Sequence, residues 1–255
     1  MLLSVIVITY NEEKNIAACL ESVAWADEII VVDSKSPDRT VEIARQYTEH
    51  VYSTDFMGYA ANKNFALAHA SGDWVLWLDA DERVTPELAQ EIRHTLDQPS
   101  AVHGYEISRK AFFLGRWIRH CGWYPGYVLR LFRRESGRFN DRKVHEGLEL
   151  SGERRRLHND LLHFTDMDLE HYFDKFNQYT SLAAEDLADK QRHARLWDLL
   201  LRPTFLFIKM YLFKRGFLDG VQGWMLCLLS SAYVAVKYAK LWELNHSESG
   251  AMLPR

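Results

Sequence analysis

The run Trp74-Val75-Leu76-Trp77-Leu78 passes directly into Asp79-Ala80-Asp81-Glu82. Five consecutive apolar residues do not alternate between core and water, so the segment reads as a strand covered on both faces. Strands of that kind belong to α/β sheets, whose ligands sit just beyond the carboxyl ends of the strands. Asp79 and Asp81 therefore stand where a hard divalent cation and a substrate diphosphate can be held together. The same pair also suits a plain surface turn, because Asp is a common turn former.

The first hundred residues repeat one unit, a strand and then a helix. Residues 3–8 are a β-branched apolar strand, and Asn11 is placed to cap a helix whose first turn holds Glu12 and Glu13. Ile16, Leu20 and Val23 give that helix its apolar stripe. Residues 28–32 form a second strand ending at Asp33, and a turn over residues 34–38 leads into a helix over 39–47. A short strand over 50–52 and an Ala-rich helix over 59–70 follow, and Gly72 breaks the chain before Trp74. Thr85-Pro86-Glu87 opens a further helix with a cap and a proline at its first position. This alternation predicts a mostly parallel sheet with helices on both faces, its right-handed crossovers bringing the strand ends to one rim. That rim gathers Tyr10, Asp33 and the pair Asp79 and Asp81. A ring to stack on a base, an acceptor for a base N–H and a carboxylate pair suit a nucleotide carrying a diphosphate. The sequence contains neither G-x-x-x-x-G-K-[ST] nor G-x-G-x-x-G, so P-loop and dinucleotide chemistry are unsupported.

Taken in order, Ser4-Val5-Ile6-Val7-Ile8-Thr9-Tyr10-Asn11-Glu12, Val31-Val32-Asp33-Ser34, Lys63-Asn64, Ala70-Ser71-Gly72-Asp73 and Leu78-Asp79-Ala80-Asp81-Glu82 resemble the inverting family 2 glycosyltransferases. The resemblance covers roughly residues 1–100. It implies a GT-A fold (a Rossmann-like α/β sheet), a nucleotide-sugar donor and a divalent metal, Mg²⁺ or Mn²⁺. By the same resemblance Thr9, Tyr10, Glu12 and Asp33 belong to the donor site, with Tyr10 and Asp33 at the nucleobase. Asp79 would meet the ribose or sugar side and Asp81 the metal. Lys63 stands where the family usually has Arg and would approach the diphosphate, without the bidentate fork of a guanidinium. Over nearly its whole length, through weaker motifs, the chain resembles the branch containing the bacterial lipopolysaccharide inner-core β-1,4-glucosyltransferase. That branch adds glucose to a heptose, which implies a UDP-sugar donor, UDP-glucose above all, and a lipid-linked saccharide acceptor.

An inverting transfer needs a carboxylate to take the acceptor hydroxyl's proton and no enzyme nucleophile. Glu146, within Val144-His145-Glu146, is the expected catalytic base alongside Asp81 at the metal. Asp141 is its rival, and both acids can instead pair with Arg142 or Lys143. His163 ends a short apolar run and is a candidate extra metal ligand or diphosphate contact, with a satisfied core histidine as the alternative. Arg130, Arg133 and Arg134 are candidates for acceptor phosphates, and Trp117, Trp123 and Tyr124 for stacking a sugar ring. Structural arginines and core aromatics are the plainer readings.

A formal net charge of −4 hides a segregation along the chain. Residues 1–100 carry 17 acidic and 7 basic side chains, residues 109–156 carry 5 and 13, and residues 190–240 carry 2 and 9. The later segments suit an anionic partner, lipid headgroups or a phosphorylated substrate, unless they pair with the acidic first half. No nucleic-acid partner is expected. Cys19, Cys121 and Cys227 lie far apart with no C-x-x-C pair, against a zinc site or a disulfide framework. The start, Met1-Leu2-Leu3-Ser4-Val5, lacks a basic n-region, so no signal peptide is expected and the catalytic half belongs in the cytoplasm.

Residues 168–190 have helical, amphipathic periodicity, and residues 199–215 interleave aromatics and aliphatics with regularly placed cations. Such a helix suits the plane of an anionic bilayer. The longest uncharged run, residues 220–236, has 17 positions and falls short of the ~20 that a full span requires. The expected division is a GT-A catalytic domain over 1–165 and amphipathic helices over 166–255, peripheral on the cytoplasmic face of a bacterial inner membrane. A helical cover or an oligomer interface is the alternative for the last region. For the whole chain the alternatives are a metal-dependent nucleotidyltransferase and a non-catalytic membrane adaptor.

Overall fold

A computed structural model describes residues 1–140, 147–166 and 168–247. The chain divides into two compact units, one of residues 1–110 with 125–165 and one of residues 111–124 with 166–255.

In the first unit β1 (Leu3–Thr9), β2 (Glu28–Asp33), β3 (Val51–Ser53) and β4 (Trp74–Asp79) lie parallel in the order β3-β2-β1-β4. Alternate side chains enter two separate cores. Leu3, Val5 and Val7 of β1 and Trp74, Leu76 and Leu78 of β4 join the cluster that also takes Ile16 and Leu20 of α1 (Ile16–Glu21). Ile6 of β1 and Val75 and Trp77 of β4 face the other way, against Ala60 and Ala66 of α3 (Tyr59–His69). Between these helices comes α2 (Thr40–Ala44). A strand buried on both faces has no polar position to spare, which is why the apolar run of β4 is continuous. Gly72 is required before it, because a Cβ there would sit 2.7 Å from the Ser4 N and 2.9 Å from the Leu2 O.

The parallel ladders stop at β4. Past β5 (Glu82–Val84) and α4 (Pro86–Asp97) come β6 (Gly104–Phe113), β7 (Arg116–Trp117), β8 (Gly126–Arg133), β9 (Gly137–Phe139), β10 (Leu148–Leu150) and β11 (Arg154–Asp166). From β4 the sheet continues through β8, β6, β11 and β5, making a mixed α/β sheet with antiparallel pairs β4–β8, β8–β6 and β11–β5. β6 and β8 are joined without a helix, a connection that suits antiparallel neighbours. Thr85 caps α4 as expected, its Oγ1 accepting the Leu88 N–H at 3.2 Å with Pro86 at the first position. The helix expected after Asn11 starts later. Asn11 adopts a left-handed φ of 56°, and α1 begins at Ile16 with no acid in its first turn.

The second unit contains α5 (Leu169–Asp189), α6 (Leu196–Ile208) and α7 (Gly220–Ser247). Ala184 of α5 packs with Tyr238 and Leu241 of α7. Phe113, Ile118 and Cys121 pack with Met210 and Leu226. Separation in sequence misleads for the cysteines, because Cys121 and Cys227 come to 3.6 Å between sulfurs as free thiols. The buried Asp219 carboxylate accepts the Arg119 and His120 N–H groups at 3.3 and 2.8 Å and the His120 ring at 3.0 Å. Among the described residues no helix is long and apolar enough to cross a membrane.

Candidate functional site

The ends of β1, β2 and β4 meet on one rim. Thr9 pairs in register with Asp33, and Ile8 with Asp79. The turns after β1 and β2 are laced together: the N–H groups of Asn11, Glu12 and Glu13 donate to Ser36 Oγ (2.8 Å), Thr40 Oγ1 (2.9 Å) and Asp38 Oδ2 (3.1 Å). This lacing, rather than a helix N-terminus, takes up the donors of residues 11–13. Asp33 is fully buried and accepts the Ser36 N–H at 2.8 Å and the Ser36 hydroxyl. A carboxylate has about four lone-pair sites, so Asp33 keeps capacity for a further donor. Thr9 is buried, Tyr10 is 56% exposed, and Glu12 accepts from the Asn15 side chain at 2.8 Å.

The turn after β4 is braced from below by one arginine. The β4–β8 register sets Leu76 against Leu131, so the next position brings Arg130 to Trp77, its guanidinium 3.5 Å from the ring centroid. The Arg130 Nη2 donates to Asp79 Oδ2 at 2.8 Å and to Glu82 Oε1 at 2.5 Å. The second Glu82 oxygen accepts the Asp79 N–H at 3.1 Å, closing the turn, and Arg109 Nη1 lies 3.9 Å from Glu82. Burial alone would raise the Asp79 carboxyl, but the charges of Arg130 and Lys63 outweigh it and hold the group well below the usual carboxylate range. Lys63, on α3, is buried with its Nζ 4.1 Å from the Trp77 centroid.

Asp81 and His163 come together through the β5–β11 pairing, in which His163 stands opposite Glu82. His163 Nε2 lies 3.5 Å from Asp81 Oδ2, and the Asp81 carbonyl accepts the Phe164 N–H at 2.9 Å. Burial lowers the His163 imidazole, yet its bond to Asp81 and that carboxylate's charge outweigh the effect and raise it above the ordinary histidine value. Among the described residues no group of three or more His, Cys, Asp or Glu forms a ready cage for a metal. The Asp81 carboxylate nonetheless suits a hard ion of the Mg²⁺ or Mn²⁺ type, which takes one or two protein oxygens and completes its shell with substrate phosphates and water. The imidazole beside it would add a nitrogen donor only to the softer Mn²⁺.

The rim thus holds Thr9, Asp33 and Asp79, while Asp81 and His163 meet each other at the following turn. Glu146 and its rival Asp141 lie outside the described residues. The three arginines offered to acceptor phosphates are engaged internally: Arg130 as above, Arg133 with the carbonyls of Ser100 (2.8 Å) and Val102 (3.2 Å), Arg134 with the Gly72 carbonyl (2.9 Å). Trp117 and Tyr124 stack edge to face at 5.3 Å within the second unit, and Trp123 packs on its core. The braces Arg130 and Glu82 escape a reading by local pattern. The apolar and basic alternation of β8 places Arg130 on one face of a strand, but only the long-range β4–β8 register says that this face meets Trp77.

The profile described as Glycosyl transferase family 2 matches residues 4–147. The lipopolysaccharide core biosynthesis glycosyltransferase LpsC of Rhizobium meliloti is 30% identical over 254 residues, spanning 94% of this chain and 92% of the relative. An uncharacterized glycosyltransferase of Rickettsia typhi is 29% identical, spanning 95% of this chain and 87% of the relative. Among solved structures, the mannosyltransferase PcManGT of Pyrobaculum calidifontis, in complex with GDP-Man and Mn²⁺, superposes with a TM-score of 0.55 at 19% identity. That superposition covers 94% of this chain and 87% of the other.

Proposed function

The chain belongs to glycosyl transferase family 2 and is a glycosyltransferase with a GT-A-like fold, and on that premise we propose that it moves a hexose from a UDP-sugar to a lipid-linked saccharide. Glucose is the favoured sugar and a heptose of the lipopolysaccharide inner core the favoured acceptor. The lipopolysaccharide core role in the name of the Rhizobium meliloti relative supports the acceptor class. Family membership and glycosyltransferase relatives over nearly the whole chain argue against the nucleotidyltransferase and adaptor alternatives.

The observation that carries the reading is the braced turn, with Asp79 pinned by Arg130 on the rim that also holds Asp33 and Thr9. In the proposed reaction the acceptor hydroxyl oxygen bonds to the anomeric carbon as the bond from that carbon to the diphosphate breaks. The hydroxyl proton passes to a carboxylate, assigned to Glu146 with Asp141 as the alternative, and UDP leaves. Tyr10 stacks on the base, Asp33 accepts a base N–H, and Thr9 and Glu12 line the donor side. Asp79 meets the ribose or sugar, and Lys63 approaches the diphosphate. Asp81 and His163 would hold Mg²⁺ or Mn²⁺, which when bound neutralises charge on the departing diphosphate. We assign the chemistry to the unit of residues 1–110 and 125–165, and membrane contact on the cytoplasmic face of a bacterial inner membrane to the later helices.

The test is transfer from UDP-glucose, other UDP-sugars and GDP-mannose to a purified truncated core acceptor, with Mg²⁺, Mn²⁺ or chelator. Metal-dependent transfer of glucose from UDP-glucose is expected. Turnover of GDP-mannose alone would replace the donor, and transfer undiminished by chelator would remove the metal from the proposal.

A further inference from the structure

Helix α6 carries two apolar stripes, and its own unit buries one of them. Leu199, Pro203 and Leu206 turn inward, with Pro203 accepting the Ser231 hydroxyl of α7 at 2.5 Å. Trp197, Leu201, Phe205 and Ile208, spaced at i, i+4, i+8 and i+11, lie on the opposite side and are exposed, Leu201 by 67% and Phe205 by 64%. The stripe does not end with the helix. Leu212, Phe213, Phe217 and Leu218 in the connection to α7 are exposed as well, Phe213 by 75%. Val221, Trp224 and Leu228, at i, i+3 and i+7 on the first turns of α7, are exposed too. A soluble surface scatters its apolar residues singly, whereas so many large exposed ones within residues 197–228 mark a contact.

Charge says what the contact is. Lys209, Lys214 and Arg215 stand exposed in the same connection, and none makes an ion pair with the described residues. Asp219 is the acid within residues 199–236, and it is buried on His120. A second copy of the chain is a poor occupant, since a two-fold contact would set these cations against themselves. We propose that this end of the α6–α7 pair inserts into the headgroup layer of an anionic bilayer. The exposed aromatics and aliphatics reach the acyl boundary and the three cations lie among the lipid phosphates. Helix α6 then lies in the interface plane, in keeping with the absence of a spanning helix among the described residues. The inference rests on the membrane location in the proposed function and assigns it to named side chains.

The experiment is co-sedimentation of the full chain, without donor, with phosphatidylcholine vesicles and with vesicles containing phosphatidylglycerol. Three cations near an anionic surface should favour the latter on the order of a hundredfold. Lys209→Glu, Lys214→Glu and Arg215→Glu together should abolish that preference, and Phe205→Ser with Phe213→Ser should lose both vesicle types. In the unmodified chain bromine-labelled lipid should quench tryptophan fluorescence, less so after Trp224→Phe. Wild-type protein left in the supernatant with anionic vesicles overturns the proposal. So does a dimer in sedimentation velocity that Phe205→Ser dissolves. Vesicle binding without transfer to any lipid-linked saccharide would fail the functional reading alone. Transfer to a detergent-dispersed acceptor without vesicle binding would fail this one alone.

Discussion

Arg130 and the cations between α6 and α7 carry the same charge in opposite surroundings. Arg130 is 1% exposed, holds two carboxylates and covers an indole. Lys209, Lys214 and Arg215 are exposed beside large apolar side chains, and the acid nearest in sequence, Asp219, is buried elsewhere. Both groups come from segments with a marked basic excess, yet they answer different needs. In the first unit Arg130 neutralises Asp79 and Glu82, acids of the N-terminal half. In the second, charge is left over at the surface. A count of charges along the chain reports the excess and is silent on which of the two it is.

Removing the internal cation should have the largest effect. Arg130→Met leaves the buried Glu82 without its hydrogen-bonded counter-charge, Arg109 lying 3.9 Å away, and breaking a buried pair from one side costs about 3–5 kcal/mol. Urea unfolding measures this, and adding Glu82→Gln should recover part of the loss by removing the stranded charge. A loss under about 1 kcal/mol for Arg130→Met would mean that water reaches the pair and that Arg130 is no brace. Next in size is Asp81→Ala, expected to lower metal-dependent donor turnover by about 10²-fold or more with only a small shift in unfolding midpoint. Undiminished turnover would sink the metal assignment of Asp81.

Much of this was legible because it is local. The repeated strand and helix units, the Thr85-Pro86 cap and the placement of Asp33 and Asp79 at strand ends follow from periodicity and turn chemistry within a few residues. Asn11 caps no helix because its αL conformation serves a lacing of Asn11 to Ser36 and of Glu12 to Thr40, partners 25 and 28 residues away. The role of Arg130 is hidden from a local pattern for the same reason, its partners lying 48 and 51 residues off. The pairing of Cys121 with Cys227 spans 106 residues and leaves no local trace. His163 was nameable from its apolar run, while its 3.5 Å approach to Asp81 needed the β5–β11 register.

The second unit also has a buried acid, which sharpens the comparison. Asp198 accepts the Arg195 N–H at 3.1 Å and the Arg202 guanidinium. Burial raises its carboxyl, but those two partners outweigh burial and hold it below the ordinary value. A carboxyl depressed on folding contributes stability that is complete above about pH 4, its unfolded range, and is lost as pH falls through the lower folded value. Asp198→Asn should cost about 1–2 kcal/mol at neutral pH and flatten acid unfolding below about pH 4, followed by near-ultraviolet circular dichroism. An unchanged acid profile would show that other groups carry the transition.

The smallest expected effect is the most discriminating. Lys209→Glu, Lys214→Glu and Arg215→Glu together change the charge of the α6–α7 connection by −6. These side chains make no ion pair with the described residues, so the urea midpoint should move by no more than the ±0.5 kcal/mol typical of surface changes. A gain in stability is the natural result if like charges repel one another across the connection. A loss of several kcal/mol would mean that the cations hold the fold as Arg130 does, and the contrast between the two regions would collapse. Small change in stability together with lost affinity for anionic vesicles separates a surface kept for a partner from one kept for folding.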